Sequence, residues 1–294
     1  MNPVSEVLVP GLTFGSLYAL VAIGFNVLYR PTNVLNFAQG DLVMVGAMLM
    51  AATGLGGLPW PIALGCVVVV VGLVALLEER LAVAPVLRRS SHAAGWVITT
   101  LAFSLVLSQV AGRIWTAEPR SVAPPEPLSL RPIDLLGLQI SSYQLVVIAV
   151  VVVLVVALEL GDRTRFGCAV RAVAADRDAA RLQGIRPDRI GRISFLAGGA
   201  LAGLAGVLAA PLLLASVTMG FGLLIRGFFA AIVGGVGDHR GALVAGWLLG
   251  VVEAAGARYV SPGMQTAVLF GVVVVVLMVR PTGLRRAGGV LRHV

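Results

Sequence analysis

Long apolar stretches without any Asp, Glu, Lys or Arg alternate along the chain with short polar breaks. These charge-free stretches cover residues 7–29, 42–77, 90–112, 135–158, 193–225 and 259–279. About 20 predominantly apolar residues span a bilayer as a helix. The pattern therefore predicts an all-α polytopic membrane protein, because lipid leaves no other partner for backbone polar groups.

Cutting the chain at its polar breaks predicts about nine spanning or re-entrant helices. They are Val4–Leu28, Val34–Thr53, Pro61–Leu77, Ala94–Gly112, Ser142–Leu160, Ile193–Ser216, Phe221–Gly237, Gly241–Gly256 and Met264–Val279. The second, seventh and eighth are short or polar enough to be re-entrant or broken helices instead. Such segments persist at membrane depth only when they pack against protein or line a cavity.

Composition and charge agree with this interpretation. The 294 residues are 58% hydrophobic and 12% charged, and a single soluble domain of that size has too little interior to bury so much apolar surface. All 22 basic residues are Arg, and they lie between the apolar runs rather than along one face. The net charge of +8 therefore indicates membrane topology and not a nucleic-acid partner.

The Arg distribution predicts an orientation. With the N-terminus outside and the C-terminus inside, seventeen Arg fall on the inner side, four on the outer side, and Arg226 lies within a span. Cytoplasmic loops carry such an excess. The outer loop, residues 113–141, is rich in proline and is expected to be extended and solvated. The inner loop, Gly161–Arg192, holds eight Arg and is expected to contain one short helix ending at Gly184.

Small residues recur at helical spacing and predict close helix packing. The pairs are Gly11 with Gly15, Gly199 with Gly203, Ala202 with Gly206, and Gly246 with Gly250. In lipid, helix association relies on close backbone approach, which such faces permit.

Polar residues inside the membrane are candidates for a pathway because they are costly there. The candidates are Asn26, Asn36, Gln39, Asp41, Ser104, Ser108, Gln109, Arg226, Asp238 and Glu253. Hydrogen bonds between helices would account for Asn26, Ser104, Ser108 and Gln109. An interfacial position or a mutual ion pair would account for Arg226 and Glu253.

The segment from Asn36 to Asp41 is the strongest cluster, and Gly40 within it could break a helix. Its role as a pathway or gate and its role in capping a helix end both stay open. On a helix, Asn36 and Gln39 would share one face, and that face is predicted to point into the bundle.

The sequence gives no sign of an enzyme or of a bound cofactor. Without any Lys there is no phosphate-binding loop of the Gly-x-x-x-x-Gly-Lys type. The three His have no metal-ligand spacing, and no Ser, His and Asp set suggests a nucleophile. If ATP drives transport, the ATPase must be another subunit.

Ordered motifs resemble the branched-chain amino acid ABC transporter permeases, specifically their H-type (LivH-like) subunit. The resemblance begins with residues 11–24 and with the run from Asn33 to Asp41. It continues with residues 164–172, 180–185, 201–206, 231–237, 241–246 and 280–284.

The resemblance implies that residues 1–294 form a single transmembrane permease domain. Its partners would be a second related permease (M-type), two cytoplasmic ATP-binding subunits and an extracytoplasmic substrate-binding protein. The pathway would involve Asn33, Asn36, Gln39 and Asp41, and contact with the ATPase would involve Gly167, Arg171, Ala172, Gly184 and Ile185. The family usually has His and Glu where this chain has Gln39 and Asp41, and Gln39 cannot titrate.

The expected function is import of branched-chain amino acids or related small amino acids and amides in a bacterial cell membrane. The alternative is an ion- or proton-coupled secondary transporter, which would need titratable residues at mid-membrane and symmetric halves. Asp41 and Glu253 could serve such a mechanism, but it leaves the Arg-rich inner loop unexplained. A purely structural subunit is a third hypothesis, and it would need no polar pathway.

Overall fold

The structure is a computed structural model that describes residues 3–55, 57–89, 95–115, 118–135, 138–261, 263–280 and 283. The C-terminal arginines of the predicted inner set, Arg285, Arg286 and Arg292, lie outside these residues, as does Leu284 of the last family motif.

Helices dominate the described chain, and each predicted segment contains one. The helices are α1 (Pro3–Thr32), α2 (Gln39–Leu55), α3 (Trp60–Glu78), α4 (Ala84–Arg89), α5 (Gly95–Ile114), α6 (Ser142–Asp162), α7 (Arg165–Ala175), α8 (Arg177–Leu182), α9 (Pro187–Ala209), α10 (Met219–Gly234), α11 (His239–Tyr259) and α12 (Gln265–Val279). A π-helical turn, Glu79–Val83, continues α3 into α4.

Within the described residues, six helices are long and apolar enough to cross a membrane: Glu6–Thr32, Trp60–Leu87, Gly95–Ile114, Ser142–Asp162, Pro187–Ala209 and His239–Tyr259. The second and seventh segments are shorter helices, as expected. The eighth is not weak, because α11 extends through 21 residues. The ninth is the other short one, because α12 has only 15 residues. The sixth predicted segment, Ile193–Ser216, corresponds to α9, which begins and ends earlier than predicted. Pro187 lies in the first turn of α9, where proline is tolerated.

The chain divides into two compact units. The first contains residues 1–23, 124–159 and 226–288, and it is held by direct backbone contact between α1 and α11. A methyl group added at Gly250 would lie 2.1 Å from the carbonyl oxygen of Gly11, and one at Gly15 would lie 2.6 Å from that of Gly246. The predicted small-residue pairs therefore face each other across one helix crossing.

The second unit contains residues 24–123, 160–225 and 289–294. In its described part, α9 packs on α3 through Gly199 and on α2 through Gly206. A Cβ at Gly199 would meet the Cβ of Ala75 at 2.3 Å, and a Cβ at Gly206 would lie 2.2 Å from the carbonyl oxygen of Val43. The small residues of α9 thus serve two neighbouring helices.

The α9 contact gives a direct prediction. Gly206→Val is expected to lower the stability of the detergent-solubilised protein by about 1–3 kcal/mol or more, because the added side chain meets backbone that cannot rotate away. Gly65→Val is the matched control, since a Cβ at Gly65 on α3 meets nothing within 4 Å. The measurement is the fraction of monodisperse protein left after heating. Equal melting of the two variants would contradict this packing.

An irregular stretch, residues 33–38, separates α1 from α2 and turns back into the protein. Val34 packs with Leu28 and Phe195, all fully buried. Gln39, the first residue of α2, donates a hydrogen bond to the carbonyl oxygen of Gly198 (3.2 Å). Gly198 lies eleven residues into α9, roughly 17 Å along the helix axis. The second segment therefore begins with irregular backbone that packs against α9, and its re-entrant or broken character in the membrane stays a prediction.

Ion pairs join ends of the long helices. Arg258 pairs with Glu6, Arg240 pairs with Glu159, and Arg30 Nη1 lies 2.6 Å from Asp162 Oδ2. Each pair joins two ends that the Arg distribution assigns to the same side of the membrane. The alternation of these spans agrees with that assignment, and the N-out, C-in orientation stays a prediction.

The predicted outer loop is more ordered than its proline content suggested. Strands β1 (Pro132–Leu135) and β2 (Leu138–Ser141) form an antiparallel hairpin, so the fold is not purely helical. Arg120 pairs in a β-bridge with Ala215, with two backbone hydrogen bonds of 2.8 and 2.9 Å. Strand-type pairing thus satisfies backbone N–H and C=O groups of this loop, which has no helical pattern in its sequence.

Candidate functional site

Asn36 is the centre of a fully buried polar cluster in the second unit. Its Nδ2 donates to Oε2 of Glu78 on α3 (2.9 Å), and its Oδ1 accepts from the backbone N–H of Ala38 (2.8 Å). Asn36 is not on a helix, because α2 begins only at Gln39. The shared helical face predicted for Asn36 and Gln39 is therefore wrong. Both side chains are nevertheless buried inside the protein, and the backbone contact to Ala38 is one that a capping residue makes.

Gln39 and Asp41 occupy the first turn of α2 and bond to different helices. Gln39 Nε2 bonds to Gly198 of α9, while its Oε1 is buried and lacks a hydrogen-bond partner within the described residues. The Asp41 carboxylate accepts a hydrogen bond from the Ser104 hydroxyl on α5. With α3, which carries Glu78, three helices thus converge on the start of α2: α3, α5 and α9.

Glu78 belongs to this cluster, and the sequence interpretation missed it. Glu78, Glu79 and Arg80 have the character of polar residues at a helix end, so the sequence predicts a span of Pro61–Leu77. The described helical structure instead continues through the π-helical turn, and Glu78 is fully buried. The apolar residues from Leu81 to Leu87 were the available signal, since they extend the hydropathy of the span.

Two other residues of the predicted pathway segment behave differently. Asn33 is exposed, has φ +56°, and its backbone N–H bonds to the carbonyl of Tyr29 (2.7 Å), so it ends α1. Gly40 does not break α2. A Cβ there would lie 2.4 Å from the carbonyl oxygen of Gly220, so glycine permits close contact with the start of α10.

A second buried polar group lies in the first unit and links α1, α10 and α11. Arg226 Nε donates to both carboxylate oxygens of Glu253 (2.9 and 3.1 Å), and its Nη2 donates to Oε1 (2.6 Å). The Tyr18 hydroxyl donates to Glu253 Oε2 (2.7 Å), and the guanidinium lies 5.8 Å from the Tyr18 ring centre. The predicted mutual ion pair of Arg226 and Glu253 is confirmed, and Tyr18 is an unpredicted member.

Two of the remaining polar candidates form local hydrogen bonds. Ser108 donates to the carbonyl of Leu105 within its own helix and not between helices, and Asp238 caps α11 by accepting from the backbone N–H groups of Arg240 and Gly241. Asn26 is fully buried, whereas Gln109 is exposed on α5. Among the described residues, no group of three or more His, Cys, Asp and Glu could hold a metal ion.

The inner loop begins with α7, which is tied to the end of α6. The Thr164 side chain accepts from the N–H of Gly167 at the start of α7. A Cβ at Gly167 would lie 2.5 Å from the backbone of Asp162, so glycine allows the close turn. Arg171 donates to the backbone carbonyl of Asp162. Gly167 and Arg171 are thus anchoring residues of α7.

The inner loop holds two short helices and not one. The backbone is extended at Asp176, which ends α7 and begins α8. The backbone N–H groups of Ala179 and Asp178 hold the pKa of the Asp176 carboxyl below its usual range, so this cap persists at neutral pH. A cap inside an alanine-rich run stops the helix that propensity favours.

Gly184 ends α8 as the sequence predicted. Its φ is +79°, and the N–H groups of Gly184 and Ile185 bond to the carbonyls of Arg181 and Ala180 (both 3.0 Å). This is the Schellman arrangement, in which glycine adopts the left-handed conformation at little cost.

A small apolar core holds α7 and α8 against the start of α9. Val170, Val173, Ala180 and Ile190 are buried in it, and Ala172 and Ile185 pack beside them. On the other side, Leu182 is 90% exposed and Phe166 is 44% exposed. An open groove next to them is lined by Phe166, Gly184, Ile185, Arg186, Arg189, Ile190 and Ile193. Exposed apolar side chains rimmed by Arg are typical of a protein-binding surface.

Apolar helices that could span a bilayer, buried polar clusters and an exposed basic loop define the class: a multi-pass membrane transport protein. The comparisons then identify the family. Residues 7–278 match the family described as branched-chain amino acid transport system / permease component, and the chain belongs to this family. It is accordingly a multi-pass protein of the bacterial inner membrane, as the sequence predicted.

Curated relatives share nearly the full length of the chain. It is 32% identical to the high-affinity branched-chain amino acid transport system permease protein BraD of Pseudomonas aeruginosa, over 94% of each chain. It is 32% identical to LivH of Escherichia coli, over 93% of this chain and 92% of the relative. Identity to the probable branched-chain amino acid transport permease protein LivH of Methanocaldococcus jannaschii is 30%, over 93% and 90%. No solved structure matches the chain significantly.

Proposed function

We propose that this chain is a permease subunit of an ATP-driven importer of branched-chain amino acids or related small amino acids and amides. The observation that carries this proposal is membership of the family over residues 7–278, together with the exposed surface on α7 and α8. The substrate follows the names of relatives that match at 30–32% identity. Residues 1–294 would act as one permease domain, with the N-terminus outside.

The assembly would contain a second related permease, two cytoplasmic ATP-binding subunits and an extracytoplasmic substrate-binding protein. The ATP-binding subunits would dock on the surface formed by Leu182, Phe166 and the groove beside them. Gly167, Arg171, Ala172, Gly184 and Ile185 would hold α7 and α8 in the docking conformation, because they anchor or pack the two helices.

The translocation pathway would run along the polar cluster at the start of α2, through Asn36, Gln39 and Asp41. Asn33 would act at the inner mouth, where it ends α1. Polar groups in this cluster belong to α2, α3 and α5, so a movement of α5 relative to α2 and α3 would rearrange them. Movement of the ATP-binding subunits would be transmitted to these polar groups by α9, whose first turn comes directly after α8 in the chain.

Coupling can be tested in the whole transporter, co-expressed with its partner subunits and reconstituted in proteoliposomes. Gly184→Arg is expected to reduce substrate-stimulated ATP hydrolysis at least about tenfold, because the left-handed conformation costs an L-residue about 1–2 kcal/mol and the added charge faces the groove. Gly161→Arg is the matched control, since a side chain at Gly161 meets nothing within 4 Å. Both variants should insert normally.

Wild-type uptake of leucine that requires both ATP and the ATP-binding subunits would support the proposal. Uptake that continues without those subunits and stops with a protonophore would favour a secondary transporter. Undiminished ATP hydrolysis in Gly184→Arg would contradict the docking surface.

A further inference from the structure

Buried carboxylates in this protein are treated in two different ways. Glu253 is neutralised by Arg226, which donates three hydrogen bonds to it. Glu78 is fully buried, and within the described residues it accepts a hydrogen bond from Asn36 but forms no ion pair. Asp41, which follows Asn36 closely in sequence, bonds to Ser104. A carboxylate without an ion pair is costly to bury in its charged form, so Glu78 is suited to receive a cationic group.

The cluster also has acceptor atoms to spare. Glu78 Oε1 and Gln39 Oε1 are both buried, and neither has a hydrogen-bond partner within the described residues. Asn36 contacts both residues: its side-chain amide donates to Glu78, and its backbone oxygen accepts from the backbone N–H of Gln39 (3.2 Å). Buried acceptors without donors are rare in proteins and call for a ligand. Both oxygens can accept hydrogen bonds from a small cation that carries several N–H donors.

We propose that Glu78, with Asn36 and the amide oxygen of Gln39, binds the ammonium group of the substrate as it crosses the membrane. This inference rests on the proposed function, which makes the substrate an amino acid. An ammonium group brings one positive charge and three N–H donors without any acceptor, which complements both the unpaired carboxylate and the orphaned oxygens. Glu78 makes the site selective for the charged nitrogen, while Asn36 positions the Glu78 carboxylate.

The site predicts a chemical preference that can be separated from the substrate-binding protein. Purified permease and ATP-binding subunits in nanodiscs, without the binding protein, would be tested for binding of radiolabelled leucine. Leucinamide keeps the ammonium group and should compete. The 2-hydroxy analogue, 2-hydroxyisocaproate, keeps the carboxylate but lacks the ammonium group and should compete at least about tenfold less well, because a charged hydrogen bond is lost.

Glu78→Gln should weaken leucine binding at least about tenfold and remove the discrimination against 2-hydroxyisocaproate, whereas Glu78→Asp should keep part of it. Glu159→Gln is the control, since this carboxylate on α6 belongs to the first unit and bonds to Arg240. A merely structural role of Glu78 would lower stability but leave the discrimination unchanged, and that result would overturn the proposal. Equal competition by both analogues in the wild type would overturn it as well. If the wild-type transporter takes up no amino acid at all, the proposed function fails instead.

Discussion

Replacing Arg226 with methionine is expected to leave far less folded protein in the membrane than the unchanged chain gives. The substitution removes three hydrogen bonds from the Glu253 carboxylate and, within the described residues, leaves the Tyr18 hydroxyl as its remaining donor. Breaking a buried ion pair on one side costs about 3–5 kcal/mol, since an uncompensated charge stays inside. The measurement is the yield of monodisperse protein in mild detergent and its melting temperature.

The control for this prediction is the double variant in which Arg226 and Glu253 are both methionine. It removes the pair together with the stranded charge, so it should recover most of the folded protein. If the single variant is as stable as the wild type, the pair contributes nothing to folding. If the double variant is as unstable as the single one, the loss arises from packing around Arg226 and not from its charge.

Asn36→Leu is expected to abolish uptake and also to reduce the folded fraction. It removes the donor to Glu78 and the acceptor for the N–H of Ala38, both inside the protein. Each buried polar group left without a partner costs about 1–3 kcal/mol. The outcome differs from a pathway role alone, which predicts normal expression with reduced uptake.

Gln109→Leu provides the matched control for Asn36→Leu, because it also replaces an amide in a predicted span but at an exposed position on α5. It should express and transport normally. Combining Asn36→Leu with Glu78→Leu should recover part of the folded fraction, since the stranded carboxylate disappears while the Ala38 N–H stays without its acceptor, and leucine uptake stays lost. Full expression of Asn36→Leu alone would mean that Ala38 and Glu78 find other partners.

The apolar pattern predicted the helices because the periodicity of a helix is a local property of the sequence. The same holds for Gly184, because a glycine that follows an alanine-rich helix predicts a left-handed helix end. It also holds for the small-residue faces of α1, α9 and α11, which are visible as a helical spacing. A mutual ion pair of Arg226 and Glu253 could be inferred from the sequence because opposite charges inside a membrane have few other partners. These features depend on neighbours in sequence or on a very restricted choice of partner.

Other features depend on tertiary neighbours that no local pattern reveals. The role of Glu78 requires knowing that α3 continues beyond it and that Asn36 lies opposite. The apolar character of residues 34–53 predicts a helix that includes Asn36, whereas the Asn36 side chain bonds to the backbone N–H of Ala38 and so favours an irregular start. The break at Asp176 is similar, since its side chain competes with the helix that the surrounding alanines favour.

The backbone seam between α9, α2 and α3 has a mechanical consequence. Side chains at an ordinary interface can change rotamers and absorb a displacement, but Gly199 and Gly206 place main chain or Cβ atoms directly against the neighbouring helices. Such a contact resists gradual deformation, so α2, α3 and α9 should move together as one rigid body. α9 starts within a few residues of Gly184 and contacts Gln39 at Gly198. A displacement of the inner loop would therefore be transmitted by α9 to the first turn of α2 without being absorbed by side-chain rearrangement.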